Sequence, residues 1–440
     1  GGGICEVNAG PGFRMHVAPS EGTPRDVAGP VLDMLFPSES PSRVPIAAVT
    51  GTNGKTTTSR MLAHILKMAG HPVGLSSSDG IYIDGNLSVE GDLTGPRSAQ
   101  MILRDPTIDA AVLETARGGL LRNGLGFSNC DVAACINVSS DHLGLKGIDT
   151  LEQLAEIKRI PIEIATNTAV LNADNSFCLK MAAHTEAENI CYVTMNPDHD
   201  LVKQHVKADG RAVVLEKAFN GDMITIYDNG NHIPLLWTHL IPATMEGRAM
   251  HNVQNAMFAA GLGFSLGVSL ENIRQGLRTF DTTFIQAPGR INVFTEHPFK
   301  VILDYAHNPA AVKTMSDLVS RLGEHGRKIL VLAAPGDRRD EDIRDIALAA
   351  AGHYDVYVCR QDDRPRGRQP GEVPEMLRAT LLEAGIAEDR ILVRPDEQEA
   401  VETALGLARA GDLVMIFGDV IKRCWKQIVY FKPGDGAGPE

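Results

Sequence analysis

A chain of 440 residues that is 43% hydrophobic and 22% charged has the make-up of a globular protein, and at about 150 residues per domain its length implies roughly three cores. The net charge of −13, with no basic block, argues against nucleic-acid binding through phosphate neutralisation, and no uncharged apolar run approaches the ~18 residues of a membrane span. Seven scattered cysteines without a CxxC pair indicate neither a disulfide framework nor a zinc site, and a start at Gly1-Gly2-Gly3-Ile4, without methionine or secretory leader, reads as a cytoplasmic protein missing its N-terminus.

Residues 1 to 42 carry Pro11, Pro19, Pro24, Pro30, Pro37 and Pro41, too many for a helical domain in too short a stretch for a core. They read as the tail of another domain plus a linker. From Val44 onward a strand is expected near 44–49, a helix near 55–68, and strands near 109–115 and 131–138. The helix follows from Met61, Leu62, Ile65, Leu66 and Met68 at spacings of three and four, with Gly70 as its C′ residue. Such alternation gives a parallel sheet covered by helices, with ligands at the carboxyl ends of the strands. Residues 190 to 240 change character: Met223 to Tyr227 and His232 to Leu236 flank Asn229-Gly230, a hairpin signal that implies a small antiparallel insertion. Helical pattern returns from His251 to Phe280. A second alternating block begins near Pro288, with strand cores at Val301 to Leu303, Ile329 to Leu332, Val356 to Val358 and Leu413 to Phe417, and reads as a separate Rossmann-like α/β domain behind an Ala287-Pro288-Gly289 hinge.

The chemistry is concentrated at Val49-Thr50-Gly51-Thr52-Asn53-Gly54-Lys55-Thr56-Thr57-Thr58, which follows an apolar strand and opens a helix. Glycines let the backbone close around phosphate oxygens, the helix N-terminus attracts anions, and Lys55 adds positive charge. Thr56 would hold Mg²⁺. The general phosphate-loop pattern has glycine where Val49 stands; Gly51 stands inside the loop instead, so this is a variant loop. Glu114 ends an apolar strand ahead of Thr115-Ala116-Arg117-Gly118-Gly119, a position from which its carboxylate can bind Mg²⁺. Asn137-Val138-Ser139-Ser140-Asp141-His142-Leu143-Gly144 ends the next strand, where spacing alone does not decide between a metal ligand and a hydrogen-bonded structural histidine.

Taken together, the loop, the strand-end Glu114, the Asn137 to Gly144 motif and a later helical lysine resemble the Mur ligase superfamily of ATP-dependent amide ligases. Val170 to Asp174, His251 to Asn255, Pro288-Gly289-Arg290 and Asp304-Tyr305-Ala306-His307-Asn308-Pro309 agree with it in order, so the likeness covers nearly everything from Val44. The resemblance implies a central nucleotide domain at 43–286, with parallel sheet and antiparallel insertion, and a C-terminal domain at 287–440. It implies that Gly51, Thr52, Asn53, Gly54, Lys55, Thr56 and Thr57 hold ATP, that Asn255 reaches the adenine, and that Arg290 and Asp304 close over the nucleotide. Thr56, Glu114 and His142 would hold metal. Lys158 falls where many members carry a carbamylated lysine that binds a second Mg²⁺.

Within the superfamily the chain resembles the cyanophycin synthetases. Ile4 to His16 is similar to the end of an ATP-grasp domain, with Glu6 and Asn8 as Mg²⁺ ligands, running into a Mur-like domain. Gly336 to Arg344 and Asp363 to Glu372 are similar to that family's third domain, and their clustered carboxylates and arginines are suited to a cationic amino acid. The implied activity joins arginine to the aspartate β-carboxylate of a polyaspartate (cyanophycin) chain through an acyl phosphate, with ATP and Mg²⁺, and with the aspartate-adding site truncated. No nucleic acid or membrane partner is expected, and a homo-oligomer is. The alternatives are a folylpolyglutamate or muramyl ligase, a silent polymer-binding Mur-like module and, last, a P-loop kinase or switch NTPase.

Overall fold

The computed structural model describes residues 7–10, 12–37, 43–323 and 326–432, and the chain divides into two compact units, Gly1–Val44 and Pro45–Glu440. The first holds two helices, Arg14–Val17 and Ala28–Leu35, neither with a buried residue. Pro30 lies in the first turn of the second helix, where a missing N–H breaks no intrahelical bond, so the prolines of this segment permit more helix than their number suggests. Glu6 lies outside the described residues, and Asn8 is exposed.

The second unit contains two sheets. The larger is built from β1 (Ile46–Thr50), β2 (Val73–Ser77), β3 (Gly80–Ile83), β4 (Asn86–Glu90), β5 (Ala110–Glu114), β6 (Cys130–Cys135), β7 (Ala165–Asn172), β8 (Asn189–Thr194), β9 (Arg211–Ala218), β10 (Gly221–Asp228) and β11 (Asn231–Trp237). Their spatial order is β11-β10-β9-β8-β7-β6-β1-β5-β2-β3-β4. The seven strands from β9 to β2 run parallel, and both edges turn antiparallel. The expected antiparallel piece is thus a continuation of the main sheet, because β9 pairs parallel with β8. Asn229 (φ 48°) and Gly230 (φ 75°) form its two-residue turn, both in the left-handed region that such a hairpin demands. The meander β2-β3-β4 at the opposite edge, where no strands were expected, turns in the same way at Asp84 (φ 48°) and Gly85 (φ 83°), an Asp-Gly pair between Ile83 and Asn86.

β1 is buried along its whole length between β5 and β6. The chain leaves β1 toward β5 and β2, then crosses back to β6, so the strand order reverses beside β1; ligands bind at the carboxyl ends of such strands. The helix Lys55–Met68 starts there and buries Met61, Leu62 and Ile65 against the helices Met250–Ser265 and Leu270–Thr279. Gly267 (φ 82°) splits the expected 251–280 helix into these two.

The smaller sheet contains β12 (Asn292–Phe294), β13 (Lys300–Asp304), β14 (Lys328–Ala334), β15 (Val356–Gln361), β16 (Ile391–Val393) and β17 (Leu413–Phe417) in the order β12-β13-β17-β14-β15-β16. All pairs but β12–β13 are parallel, so Asp304, Phe417 and Gln361 end their strands on one edge. β12 and β16, of three residues each, are too short to register as periodic runs. Among the described residues no helix is long and apolar enough to cross a membrane, and the six described cysteines are buried.

Candidate active site

Between β1 and its helix the backbone takes positive φ at Gly51 (151°) and Gly54 (88°), and no side chain caps the helix at Gly54. Asn137 braces the turn: its Oδ1 accepts from the amides of Thr52 (3.1 Å) and Asn53 (2.9 Å), while its Nδ2 donates to Asn53 O (3.0 Å). Those two amides are therefore spent on the loop's own shape. The first-turn amides from Lys55 onward, which have no intrahelical acceptor, are the ones left for an anion. Asn255 sits directly behind Gly54, where a Cβ would come within 2.4 Å of its Oδ1, and it is held by Asn252 (3.0 Å) and Thr58 (3.3 Å).

Lys55 Nζ donates to Thr52 O (2.8 Å). Thr56 Oγ1 donates to Glu114 Oε2 (3.0 Å) and lies 3.0 Å from Ser78 Oγ; Glu114 Oε2 also accepts from Ser78 N (3.2 Å). Glu114 is 2% exposed, and burial pushes its carboxyl up while Lys55 and Arg290 pull it down. Ser78 was not foreseen, although the polar run Ser76-Ser77-Ser78-Asp79 at the end of β2 marks a strand terminus of the same kind as Glu114.

From the smaller sheet, Arg290 Nη2 reaches Thr56 Oγ1 (3.3 Å) and Ser78 Oγ (3.4 Å). Asp304 Oδ2 accepts from Ile291 N (2.9 Å), holding Ile291 at φ 51°, a strained angle for a β-branched residue. Burial drives the Asp304 carboxyl up to about 6, against the pull of Arg290. The Ala287-Pro288-Gly289 segment is pinned as well: Asn292 Nδ2 donates to Thr282 O and Ala287 O, Asn292 Oδ1 accepts from Gly289 N, and Arg60 donates to Gln286 O.

His142 sits in a different cluster from Thr56 and Glu114. It has φ 57°, its Nε2 accepts from Arg338 Nη2 (3.1 Å), and its ligand atom groups with those of Asp141 and His307, all within 4.8 Å of one another. Arg338 also pairs with Asp141 (3.0 Å). Burial, with Arg338, His307 and Arg117 adding to it, takes His142 down to about 4 despite Asp141. Burial alone would raise Asp141, but His307, His142, Arg338 and Lys55 outweigh it and hold the carboxyl below its usual range.

Lys158 belongs to the helix Leu151–Glu163, opened by a capping box between Thr150 and Gln153. It is 4% exposed, not a surface lysine, and its Nζ donates to Gly51 O (2.7 Å) behind the loop. Burial, then Lys55, brings its amine down to about 7.

Two cavities meet here. One, of about 390 Å³, runs from Thr52–Thr57 past Asn255 to Thr314. The other, of about 640 Å³, extends from Lys55 and Glu114 between the sheets to Arg366 and Asp419. Lys55, Ser78, Glu114, Arg290, Tyr305 and His307 line both. The loops after β14 and β15 border the second cavity and are laced together by Arg368, which donates to Gly336 O and Arg338 O and pairs with Asp340.

Comparison with known proteins gives two family matches, the Mur ligase middle domain over residues 49–263 and the Mur ligase glutamate ligase domain over residues 289–420. The chain is 45% identical over 436 residues to the cyanophycin synthetase of Synechocystis sp., covering 98% of this chain and 49% of that protein. It therefore spans about half the length of the cyanophycin synthetases it matches. It is 26% identical to the UDP-N-acetylmuramoyl-L-alanyl-D-glutamate–2,6-diaminopimelate ligase of Caldanaerobacter subterraneus, over 87% of this chain and 74% of that one. The structure of E. coli FolC in complex with DHPP and ADP shares the fold, with TM-score 0.64, 21% identity and 88% of each chain covered.

Proposed function

The chain belongs to the Mur ligase family, and from that premise we propose that it is an ATP-dependent acid–amino acid ligase that joins arginine to the aspartate β-carboxylate of a polyaspartate chain. The observation that carries the reading is the junction of the two cavities at Lys55, Glu114 and Arg290, one suited to a nucleotide and the other to the groups being joined. The 45% identity to cyanophycin synthetases supports the choice of substrates. Residues 1–42 are, on this reading, the tail of an ATP-grasp domain, 43–286 the nucleotide domain and 287–440 the C-terminal domain.

A carboxylate has no leaving group, so the reaction must supply one. A substrate carboxylate oxygen attacks the γ-phosphorus of ATP, the bond to the β-phosphate oxygen breaks, and ADP leaves. The amine nitrogen then attacks the acyl carbon of the acyl phosphate, phosphate departs with the former acyl oxygen, and the nitrogen gives up a proton to leave an amide. The first-turn amides from Lys55 to Thr57 would hold phosphate oxygens, and Lys55 and Arg290 would oppose the negative charge concentrated at the transferring phosphoryl group. Asn255 would support the loop under Gly54 on the adenine side, and Asp304 would hold the Arg290 turn. The buried oxygens of Thr56 and Glu114 are hard donors that fit Mg²⁺, which when bound would neutralise phosphate charge. His142 fits a cation only when Arg338 withdraws, because Arg338 occupies its Nε2.

The test is incubation with ATP, Mg²⁺, radiolabelled amino acids and a polyaspartate primer. Arginine incorporation is expected. Incorporation of glutamate or diaminopimelate instead would move the chain to a folylpolyglutamate or muramyl type, and primer binding without ADP release would make it a silent module.

A further inference from the structure

Beyond Thr314 the cleft that holds the nucleotide cavity opens a second time. One side is the helix Met250–Ser265, which packs on the larger sheet, and the other is the helix Pro309–Arg321, which follows β13 of the smaller sheet. With Met195 at the end of β8 they border an alcove of about 240 Å³. His251, Gln254 and Thr314 line both this alcove and the nucleotide cavity, so the two spaces share one partition.

The lining of the alcove is mixed. Met195, Met250 and Leu318 give it an apolar side. Arg321, which also lines it, makes no hydrogen bond or ion pair among the described residues, and the Arg248 guanidinium has one partner, Glu246 (2.9 Å), two residues away on its own loop. Asp317 has a single loose pair, with Lys313 (3.7 Å). Arg321 follows Asp317 by four residues, the spacing at which opposite charges meet on a helix, yet the two do not pair. His251 and Gln254 are half-buried, and their side chains make no hydrogen bond among the described residues. Burial, with Arg321 adding to it, takes His251 down to about 4, so its ring is neutral and offers one donor and one acceptor.

Two cations, one carboxylate and two uncharged polar groups thus face one small space with hydrogen-bonding capacity to spare. A bare oxyanion suits the arginines but is repelled by Asp317, and a bare amine suits Asp317 but meets two cations. An α-amino acid carries both charges on one carbon. Its ammonium and carboxylate, each at hydrogen-bonding distance from a partner, match an (i, i+4) pair whose Cβ atoms stand about 5–6 Å apart. An apolar side chain then covers Met195, Met250 and Leu318 and takes their surface out of water.

We propose that the alcove binds a free α-amino acid with an apolar side chain, its carboxylate held by Arg321 and Arg248 and its ammonium by Asp317, and that the occupant strengthens nucleotide binding by bridging the two helices. The site itself does not depend on the ligase reading; the coupling rests on the nucleotide cavity of that reading. By linkage the nucleotide strengthens binding of the amino acid by the same factor.

The experiment follows binding to the whole chain by calorimetry, with and without a saturating nonhydrolysable ATP analogue and Mg²⁺. The probes are L-leucine and L-methionine, 4-methylpentanoate (leucine without its amine), 3-methylbutylamine (leucine without its carboxylate) and inorganic phosphate. One or both amino acids should bind in either condition, and the other three probes should bind about tenfold more weakly or worse, the loss of one charge-assisted hydrogen bond. Arg321→Gln and Asp317→Asn should each cost the amino acid about tenfold; both should fold, since Arg321 has no partner to lose and Asp317 only a loose one. The amino acid should tighten the ATP analogue about fivefold. Binding of neither amino acid, or unaltered affinity in both variants, overturns the site. Phosphate or 4-methylpentanoate binding as tightly as leucine reduces it to an anion site and overturns the assignment. Displacement of the amino acid by the ATP analogue makes the alcove part of the nucleotide site and overturns it too, and an analogue affinity that the amino acid leaves unchanged overturns the coupling. Amino-acid binding that both variants weaken, in a chain that binds no ATP analogue, supports the site and sinks the ligase reading.

Discussion

Asn53 and Asn308, 255 residues apart, exchange two amide hydrogen bonds: Asn308 Nδ2 donates to Asn53 Oδ1 (2.8 Å) and Asn53 Nδ2 to Asn308 Oδ1 (3.1 Å). Asn308 also caps the helix Pro309–Arg321 through Ala311 N (2.9 Å). The middle of the phosphate loop is thereby tied to the end of β13, which positions Asp304. Asn53→Ala should raise the KM for ATP while costing about 1 kcal/mol of stability, the net worth of the exchanged bonds. Asn308→Ala removes the helix cap as well and should cost about 1 kcal/mol more. Equal thermal midpoints for the two variants would mean that the cap carries nothing.

Lys55→Ala should abolish ligation and leave the fold intact. The side chain makes one hydrogen bond, to the backbone of its own loop, so little stability depends on it. A preorganised charge at the transferring phosphoryl group is worth ~3 kcal/mol or more of barrier, roughly a hundredfold in rate. Unchanged turnover in the folded variant would remove the phosphate-loop assignment.

The buried amine of Lys158 predicts a pH dependence of stability. Its folded value of about 7 lies below the unfolded 10.5, so between those limits the unfolded chain binds more protons and stability rises with pH. Below about pH 7 the full penalty for charging the amine is present. Lys158→Met should flatten that rise, by a few kcal/mol on the order of the shift. An amine about half neutral near pH 7 can also add carbon dioxide; a carbamylated Lys158 should gain about 44 Da, the mass of the added CO2, in native mass spectra with bicarbonate, and the alanine variant should be partly rescued by small carboxylates. An unmodified amine at saturating bicarbonate and magnesium would end the carbamylation idea.

Asp304 gives the opposite slope. Its folded value of about 6 lies above the unfolded 3.8, so the folded state binds more protons in that window and stability falls as pH rises from about 4 to 6. Asp304→Asn should remove this fall in denaturant titrations while lowering turnover, because the Arg290 turn loses its anion. A variant with the wild-type pH profile would show that Asp304 does not titrate in this range.

The sequence by itself determined the features that local physics controls. Gly51 and Gly54 announce a loop of positive φ, Met61 to Ile65 a helix with one buried face, and Asn229-Gly230 a hairpin, because each depends on a few neighbouring residues. The strand cores at Val301–Leu303 and Leu413–Phe417 were legible for the same reason: strands buried on both faces are continuous apolar runs. Tertiary structure alone decided which charges meet. Arg338 reaches across 196 positions to occupy His142 Nε2, Lys158 is buried under Gly51 where its helical pattern equally permits a surface site, and Ser78 joins Thr56 and Glu114. Electrostatic and hydrogen-bonding partners are set by distance in space, and spacing along the chain carries no record of distance once the chain crosses between sheets.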